Sequence, residues 1–488
     1  MNSNDISPFH PRRGTIPVFR NQPAGVEMAL VIENGTIVTS TSVFKGDILV
    51  LRGKIAAIGT GLYRHQPGTA RVDATDRYVI PGAVDGHTHL DMPLGDIRSS
   101  DDVESGTRAA LFGGTTCVVD YANQTRGHSL KEALDQWSDR ATGKACCDYG
   151  FHMTICDPTP ETISEIPLML RSGISSFKTF FAYPGRLMID DRAFLSILAE
   201  SSRRGFLVNL HAENGHLVEH ATRRLLEKGD SATRFHPEAH PREAELEAVQ
   251  RAICLLQANG GTLNIVHVSC MESLDRIAIA KRAGMRILAE TCPQYLLLTE
   301  QLYRRPAPEA VKWVMSPPLR TRADNRALWQ AMGSGTIDTI GTDHCPFLLE
   351  QKSRNLDQFD RIPNGAPGIE DRVELLFSNG VLKNRITLNQ WVRLIATHPA
   401  RIYGLYPKKG DLMPGSDADI VIFNPHHRHI ISSATRHMKV DYNSYAGLEI
   451  TGRVEQVFVR GHEVVKDGSL LVEPGFGQFI RRGRPILP

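Results

Sequence analysis

Six residues, spread over more than half the chain, have types and spacings that suit metal chemistry. His87 and His89 flank Thr88 in "DGHTHL". Lys178 sits in "SFKTFFAY", His211 in "LHAENG", His267 in "IVHVS" and Asp343 in "GTDHCPF". Residues at i and i+2 of a strand share a face, so the two imidazoles of H-x-H point the same way. Imidazole and carboxylate suit zinc, and manganese and cobalt accept the same donors. The set is large enough for two ions. Each member alone has a plainer reading. H-x-H reads as a satisfied polar pair, His211 and His267 as structural strand histidines, and Asp343 as a helix N-cap. It is the set as a whole that points to a metal centre.

Lys178 poses its own question. Phe177, Thr179, Phe180 and Phe181 surround it, and burying an unpaired ammonium is costly. One reading is a lysine whose stem snorkels outward to water. The other is chemical. An ammonium offers donors only and cannot ligate. An amine that has taken up carbon dioxide becomes a carbamate, whose two oxygens can bridge two cations.

The elements that position these residues follow from the pattern. Eight apolar, strand-like runs alternate with helical stretches between about residues 81 and 405. The runs are "VIPGAVDGHTHL", "TTCVVDYA", "CDYGFHMTIC", "SSFKTFFAY", "FLVNLHAE", "TLNIVHVS", "RILAETCP" and "DTIGTDH". Stretches such as "DDVESGTRAALFGG", "ETISEIPLMLRSG" and "DDRAFLSILAESSRRG" separate them, and most end at glycine. This rhythm predicts a (β/α)8 barrel, in which the C-terminal strand ends converge on one mouth. The candidate ligands lie at those ends. A doubly wound open sheet is the alternative, but no G-x-G-x-x-G follows the first strand.

Short strand patterns fill both flanks, for example "GDILVLRGKIAAIG" and "RVEQVFVRGHEVVKDG". The expected organisation is an N-terminal arm over 1–27 and a first β-sandwich part over 28–80. The barrel follows over 81–410, the second sandwich part over 411–470 and a C-terminal tail over 471–488. The arm is polar and proline-rich and lacks the apolar core of a secretory signal. It reads as a flexible segment or an oligomer contact. In the tail, Arg481, Arg482 and Arg484 read as a solvated charged end.

Composition narrows the classes further. The 488 residues carry a net charge of +2, which gives no basic field for nucleic acid. No apolar run reaches the roughly 18–20 residues of a membrane helix. The eight cysteines form no C-x-x-C pair, so neither a disulfide framework nor a cysteine zinc site is expected. A reduced, cytoplasmic protein is the default.

With these residues in place, the sequence resembles the D-hydantoinase/dihydropyrimidinase family of the amidohydrolase superfamily. The resemblance runs from about residue 28 to 475. "GHTHLDMP", "SFKTFFAY", "LHAENG", "HVSCMESL", "ETCPQYLLL", "VMSPPLR", "GTDHCPF" and "IPNGAPGIEDR" carry it, in the family's order. The resemblance implies that His87, His89 and Asp343 bind the more buried metal and that His211 and His267 bind the second. A carboxylated Lys178 (N6-carboxylysine) and a hydroxide would bridge the two ions, which would be zinc. It implies that the hydroxide attacks the ring carbonyl of a hydantoin or 5,6-dihydropyrimidine. Tyr183 would donate to the oxyanion, and Asp343 would carry the proton to the leaving nitrogen. Ser316 and Asn364 would hold the ring amide, mainly through backbone groups. The product would be an N-carbamoyl amino acid. Taken without the resemblance, Tyr183 reads as a packed aromatic, Ser316 as a turn before two prolines, and Asn364 as a turn with Gly365.

The resemblance also implies a small-molecule partner, and a homotetramer or homodimer. Relatives that open dihydroorotate carry an arginine soon after H-x-H, whereas here Leu90, Asp91, Met92 and Pro93 follow. Leu94, Ile97, Leu187 and Met188 are expected to form an apolar wall for a ring substituent. Two other readings are an allantoinase-like ureide hydrolase and a non-catalytic scaffold of the collapsin-response type. Proteins of the scaffold type have lost ligand positions that this chain keeps.

Overall fold

The computed structural model describes residues 29–62 and 69–488. The expected N-terminal arm lies outside the described residues. All eight apolar runs form strands: Ala83–Thr88, Thr115–Asn123, Asp148–Thr154, Ser176–Phe180, Leu207–His211, Leu263–Ile265, Ile287–Thr291 and Thr339–Ile340. They pair in parallel and in chain order. The eighth returns to the first through a parallel bridge between Thr88 and His344. There the His89 N–H also donates to the His344 carbonyl at 2.9 Å. The result is a (β/α)8 barrel. Its strands are buried throughout, as strands covered by helices must be.

The connecting helices begin and end where local chemistry directs. Val103–Phe112 opens on a capping box, Asp102 with Ser105, and Leu130–Ala141 on another, Ser129 with Glu132. Asp191–Arg204 stops at Gly205, whose φ of 76° only glycine adopts cheaply. The stretch "ETISEIPLMLRSG" differs from its single-helix reading. It forms two short helices, Pro160–Ser164 and Ile166–Arg171, that meet at Glu165. Pro167 has no N–H to continue a helix from the preceding turn, so a second one starts there.

Strands from both flanks join one nine-stranded mixed sheet. Its hydrogen bonding runs unbroken from Ser469–Leu470 through Ile420–Ile430 and Ala29–Val38 to Lys54–Gly59. Ile32, Ile48, Val79, Ile420 and Phe458 form a small core of their own there. The sheet is fastened to the barrel by buried charge. The Lys409 ammonium lies 2.6 Å from Asp148 in the third barrel strand, 3.0 Å from Asp417 and 2.8 Å from Asp419.

The tail corrects one expectation. Arg481 and Arg484 are exposed, but Arg482 is buried. Its guanidinium donates to the Ser176 hydroxyl at 2.8 Å, to the Tyr403 carbonyl at 3.1 Å and to the Phe151 carbonyl. The preceding residues add to the sheet edge, with Ile480 N–H to the Tyr149 carbonyl at 2.7 Å. Arg482 is buried because several oxygen acceptors on the barrel meet its fork of donors. All eight cysteines are free thiols. Among the described residues no helix is long and apolar enough to cross a membrane.

Candidate metal centre

His87 ends the first strand and is completely buried. Its Nδ1 lies 2.5 Å from Glu290 Oε1, on the seventh strand. A carboxylate accepts only, so Nδ1 carries the hydrogen and Nε2 is left free. That Nε2 has no hydrogen-bond partner among the described residues and lies 3.2 Å from Asp343 Oδ1. His89 brings Nε2 to 3.1 Å from the same oxygen. Ligand atoms of His87, His89 and Asp343 all fall within 4.8 Å of one another. Donor atoms aimed at one point, some buried and unpartnered, are what a bound cation would satisfy, so the residues fit a metal.

The second half of the predicted set lies beside this cluster. The His267 ring stands 5.4 Å from that of His87 and 4.6 Å from that of His211. His211 Nε2 is held 2.7 Å from Glu213 Oε2, and Glu213 Oε1 in turn lies 2.9 Å from His240 Nδ1. This leaves His211 Nδ1 as the uncommitted ring nitrogen. Burial pulls both His211 and His267 below the usual histidine pKa, so their rings are neutral and able to ligate.

Lys178 points inward. It is 1% exposed, and no hydrogen bond or ion pair reaches its amine among the described residues. The nitrogen instead lies 5.0 Å from the Tyr121 ring and 5.1 Å from the Phe180 ring. Burial lowers its pKa to about 8, against the opposing pull of Asp343 and Glu290. The outward-snorkelling alternative is therefore not what the chain adopts.

Three residues of the site hold backbone conformations that side chains disfavour. Tyr183 has φ 62°, His267 φ 41° and Asp343 φ 51°. Such strain persists only where neighbours over-determine it, and it gathers at functional sites. Around Asp343 those neighbours are visible. The Thr342 hydroxyl donates to Asp85 at 2.7 Å, and His344 Nε2 lies 3.1 Å from Asp101. Gly341 lets this segment approach the first strand, since a Cβ there would fall 2.7 Å from that of His87. Burial, then the Glu213 charge, push the Tyr183 phenol upward, so it is a neutral donor.

All the predicted site residues line one cavity of about 550 Å³, Ser316 and Asn364 among them. Leu94, Ile97 and Leu187 line it too, joined by Trp137 and Ile362. Met188 does not line it. Its backbone bridges Phe180, and its carbonyl accepts from Arg126 at 3.2 Å. Asp91 is turned toward Arg98, 3.0 Å away. The supporting acids Glu290 and Glu213 went unassigned in the sequence. The available signal was an acid at a strand end: Glu290 in "LAETCP", and Glu213 two residues after His211.

The model of the amidohydrolase family matches residues 78–464. The chain is 44% identical to a D-hydantoinase of Geobacillus stearothermophilus, covering 94% of this chain and 97% of that one. It is 42% identical to a D-hydantoinase of Streptomyces coelicolor, covering 93% and 97%. The solved dihydropyrimidinase of Brevibacillus agri superimposes with a TM-score of 0.93 at 41% identity, over 94% of this chain and 100% of that one.

Proposed function

The chain belongs to the D-hydantoinase/dihydropyrimidinase family of the amidohydrolase superfamily, and on that premise we propose that it hydrolyses cyclic amides. Hydantoins or 5,6-dihydropyrimidines are opened to N-carbamoyl amino acids. The observation that carries this reading is Lys178, a buried amine with no polar partner among the described residues, set among four imidazoles and a carboxylate. As N6-carboxylysine it would present two oxygens to the same space. His87, His89 and Asp343 would hold one divalent cation, His211 and His267 the other, with zinc the best match to these donors. Such ions supply Lewis acidity at the ring carbonyl and lower the pKa of water.

The chain's own groups do the rest. Ser316 and Asn364 orient the ring amide through backbone groups beside their buried, unpartnered side-chain oxygens. Tyr183 donates its phenol hydrogen to the oxyanion that develops at the attacked carbon. Asp343, facing the cavity beside His87 and His89, accepts the proton of the attacking water. It then returns that proton to the departing ring nitrogen, which is a poor leaving group without it. Leu94, Ile97 and Leu187 form an apolar wall for a substituent on the ring.

The test is a panel of dihydrouracil, hydantoin and 5-alkyl and 5-aryl hydantoins, with chiral analysis of the products. Ring opening that is lost on chelation and restored by zinc is expected. A metal-loaded preparation that opens none of these rings would remove the reading.

A further inference from the structure

Lys352 is another buried lysine, outside the candidate ligand set, and nothing in the reaction above uses it. It lies in the short helix Leu349–Ser353 and is 0% exposed. Its ammonium donates to three carbonyl oxygens: Val314 at 2.9 Å, Pro363 at 2.7 Å and Gly365 at 2.8 Å. Three donors meet three acceptors, so every N–H is used. No carboxylate pairs with it among the described residues. The acceptors are not scattered. Val314 lies two residues before Ser316, and Pro363 and Gly365 flank Asn364.

The two segments touch only lightly otherwise. The Gly365 N–H donates to the Val314 carbonyl at 3.0 Å. Gly365 is pressed against the end of the eighth strand, where a Cβ would fall 2.1 Å from the Cys345 carbonyl. His236 Nε2 holds the Met315 carbonyl at 2.8 Å. Ser316 Oγ and Asn364 Oδ1 are buried and, among the described residues, meet no partner at hydrogen-bonding geometry. A ligand amide held by the backbone of both residues would lie beside these oxygens, provided the spacing of the two segments is fixed beforehand.

We infer that Lys352 is a positioning residue: its ammonium clamps the Val314–Ser316 segment to the Pro363–Gly365 segment and so sets the spacing of the two groups that grip the substrate's ring amide. The inference rests on reading the cavity as a cyclic-amide site. Burial lowers the Lys352 pKa to about 7, but three carbonyl acceptors around the nitrogen favour its protonated form, whose hydrogen bonds are stronger than those of a neutral amine. Its position on a helix beside Gln351 and Arg354, both at the cavity, also ties the rim to the floor. Preorganisation of this kind acts on substrate binding and orientation more than on the chemical groups.

The experiment compares Lys352→Met and Lys352→Gln with the parent protein, all metal-loaded, on dihydrouracil and 5-methylhydantoin. Metal content, kcat, KM and amide hydrogen exchange are measured. The expected result is unchanged metal content and a fall in kcat/KM of about tenfold or more for Met, carried by KM. Gln, which keeps two of the donors, should lose less. Exchange should rise in 313–318 and 361–367 and stay level in 207–213. An unchanged KM in the Met variant overturns the clamp. So does a loss confined to kcat, exchange that rises throughout the barrel, or failure of both variants to fold. If the parent opens neither ring, it is the reaction that has been misread, and the exchange pattern still decides the clamp.

Discussion

Nδ1 of His87 and Oε1 of Glu290 stand 2.5 Å apart, both side chains buried, joining the first barrel strand to the seventh. The contact fixes the ring's tautomer and aims Nε2 at Asp343. Tyr403 donates to the other Glu290 oxygen at 3.2 Å, so the acid is itself held. Partners of this kind orient a ligand and raise its basicity. Glu290→Gln should therefore weaken metal retention by about 10–100-fold with the barrel intact. Metal content after graded chelator dialysis checks this. A variant that holds metal as the parent does would show that the pair serves packing alone.

Lys178→Ala should lose one or both metals and, with them, ring opening. Added propionate, a carboxylate small enough for the vacated space, should restore part of both. Lys178→Arg should not be rescued, since its guanidinium fills the space and stays charged. The parent's intact mass under mild conditions should exceed the sequence mass by one carbon dioxide. A metal-replete, active parent of unmodified mass would rule out the carbamate.

Tyr183 carries strain that a loop aromatic would shed if it only packed. Tyr183→Phe removes one oxyanion donor and should lower kcat by about 10²–10³-fold, roughly 2.7–4 kcal/mol. KM and metal content should barely move. Steady-state kinetics on hydantoin decide it, and a kcat within twofold of the parent is the contrary result.

The apolar wall predicts a ring-size and substituent preference. Leu187→Ala should reduce kcat/KM for 5-benzylhydantoin relative to hydantoin by roughly tenfold or more. Met188→Ala should leave that ratio alone, since Met188 does not line the cavity. Equal effects from the two variants would count against the wall.

Glu374 sets part of the acid stability. It is buried and bonds Arg436 at 2.7 Å and the Val454 N–H at 3.1 Å, holding the small sheet to a barrel helix. Burial would raise its pKa, but the Arg436 charge and the His429 contact outweigh that and hold it at about 2, below the usual 4.5. A folded-state pKa below the unfolded one gives stability that is complete above pH 4.5. It is lost as pH falls toward 2, by about 3 kcal/mol. Glu374→Gln should start less stable at pH 6 and show a shallower decline in denaturant midpoint between pH 4.5 and 3. A decline as steep as the parent's would assign the acid sensitivity elsewhere.

The sequence by itself determined the barrel and which candidate donors meet at its mouth. Eight apolar runs of strand length, separated by amphipathic stretches, leave few ways to bury both faces of each strand. A parallel barrel sends every strand's C-terminal end to one mouth, so His87, His89, Lys178, His211, His267 and Asp343 could be placed together from local pattern alone. What the tertiary structure decided depends on contacts between residues far apart in the chain. Glu290 meets His87 across 203 positions, and that meeting is set by the register of strands on opposite sides of the closure. The same holds for Arg482, which looks like a solvated tail arginine until the barrel supplies its acceptors, and for Lys352, whose three carbonyl partners belong to two separate loops. Periodicity records which face a residue shows to the core. It carries no record of which distant polar group will be waiting there, because that is fixed only when the loops close.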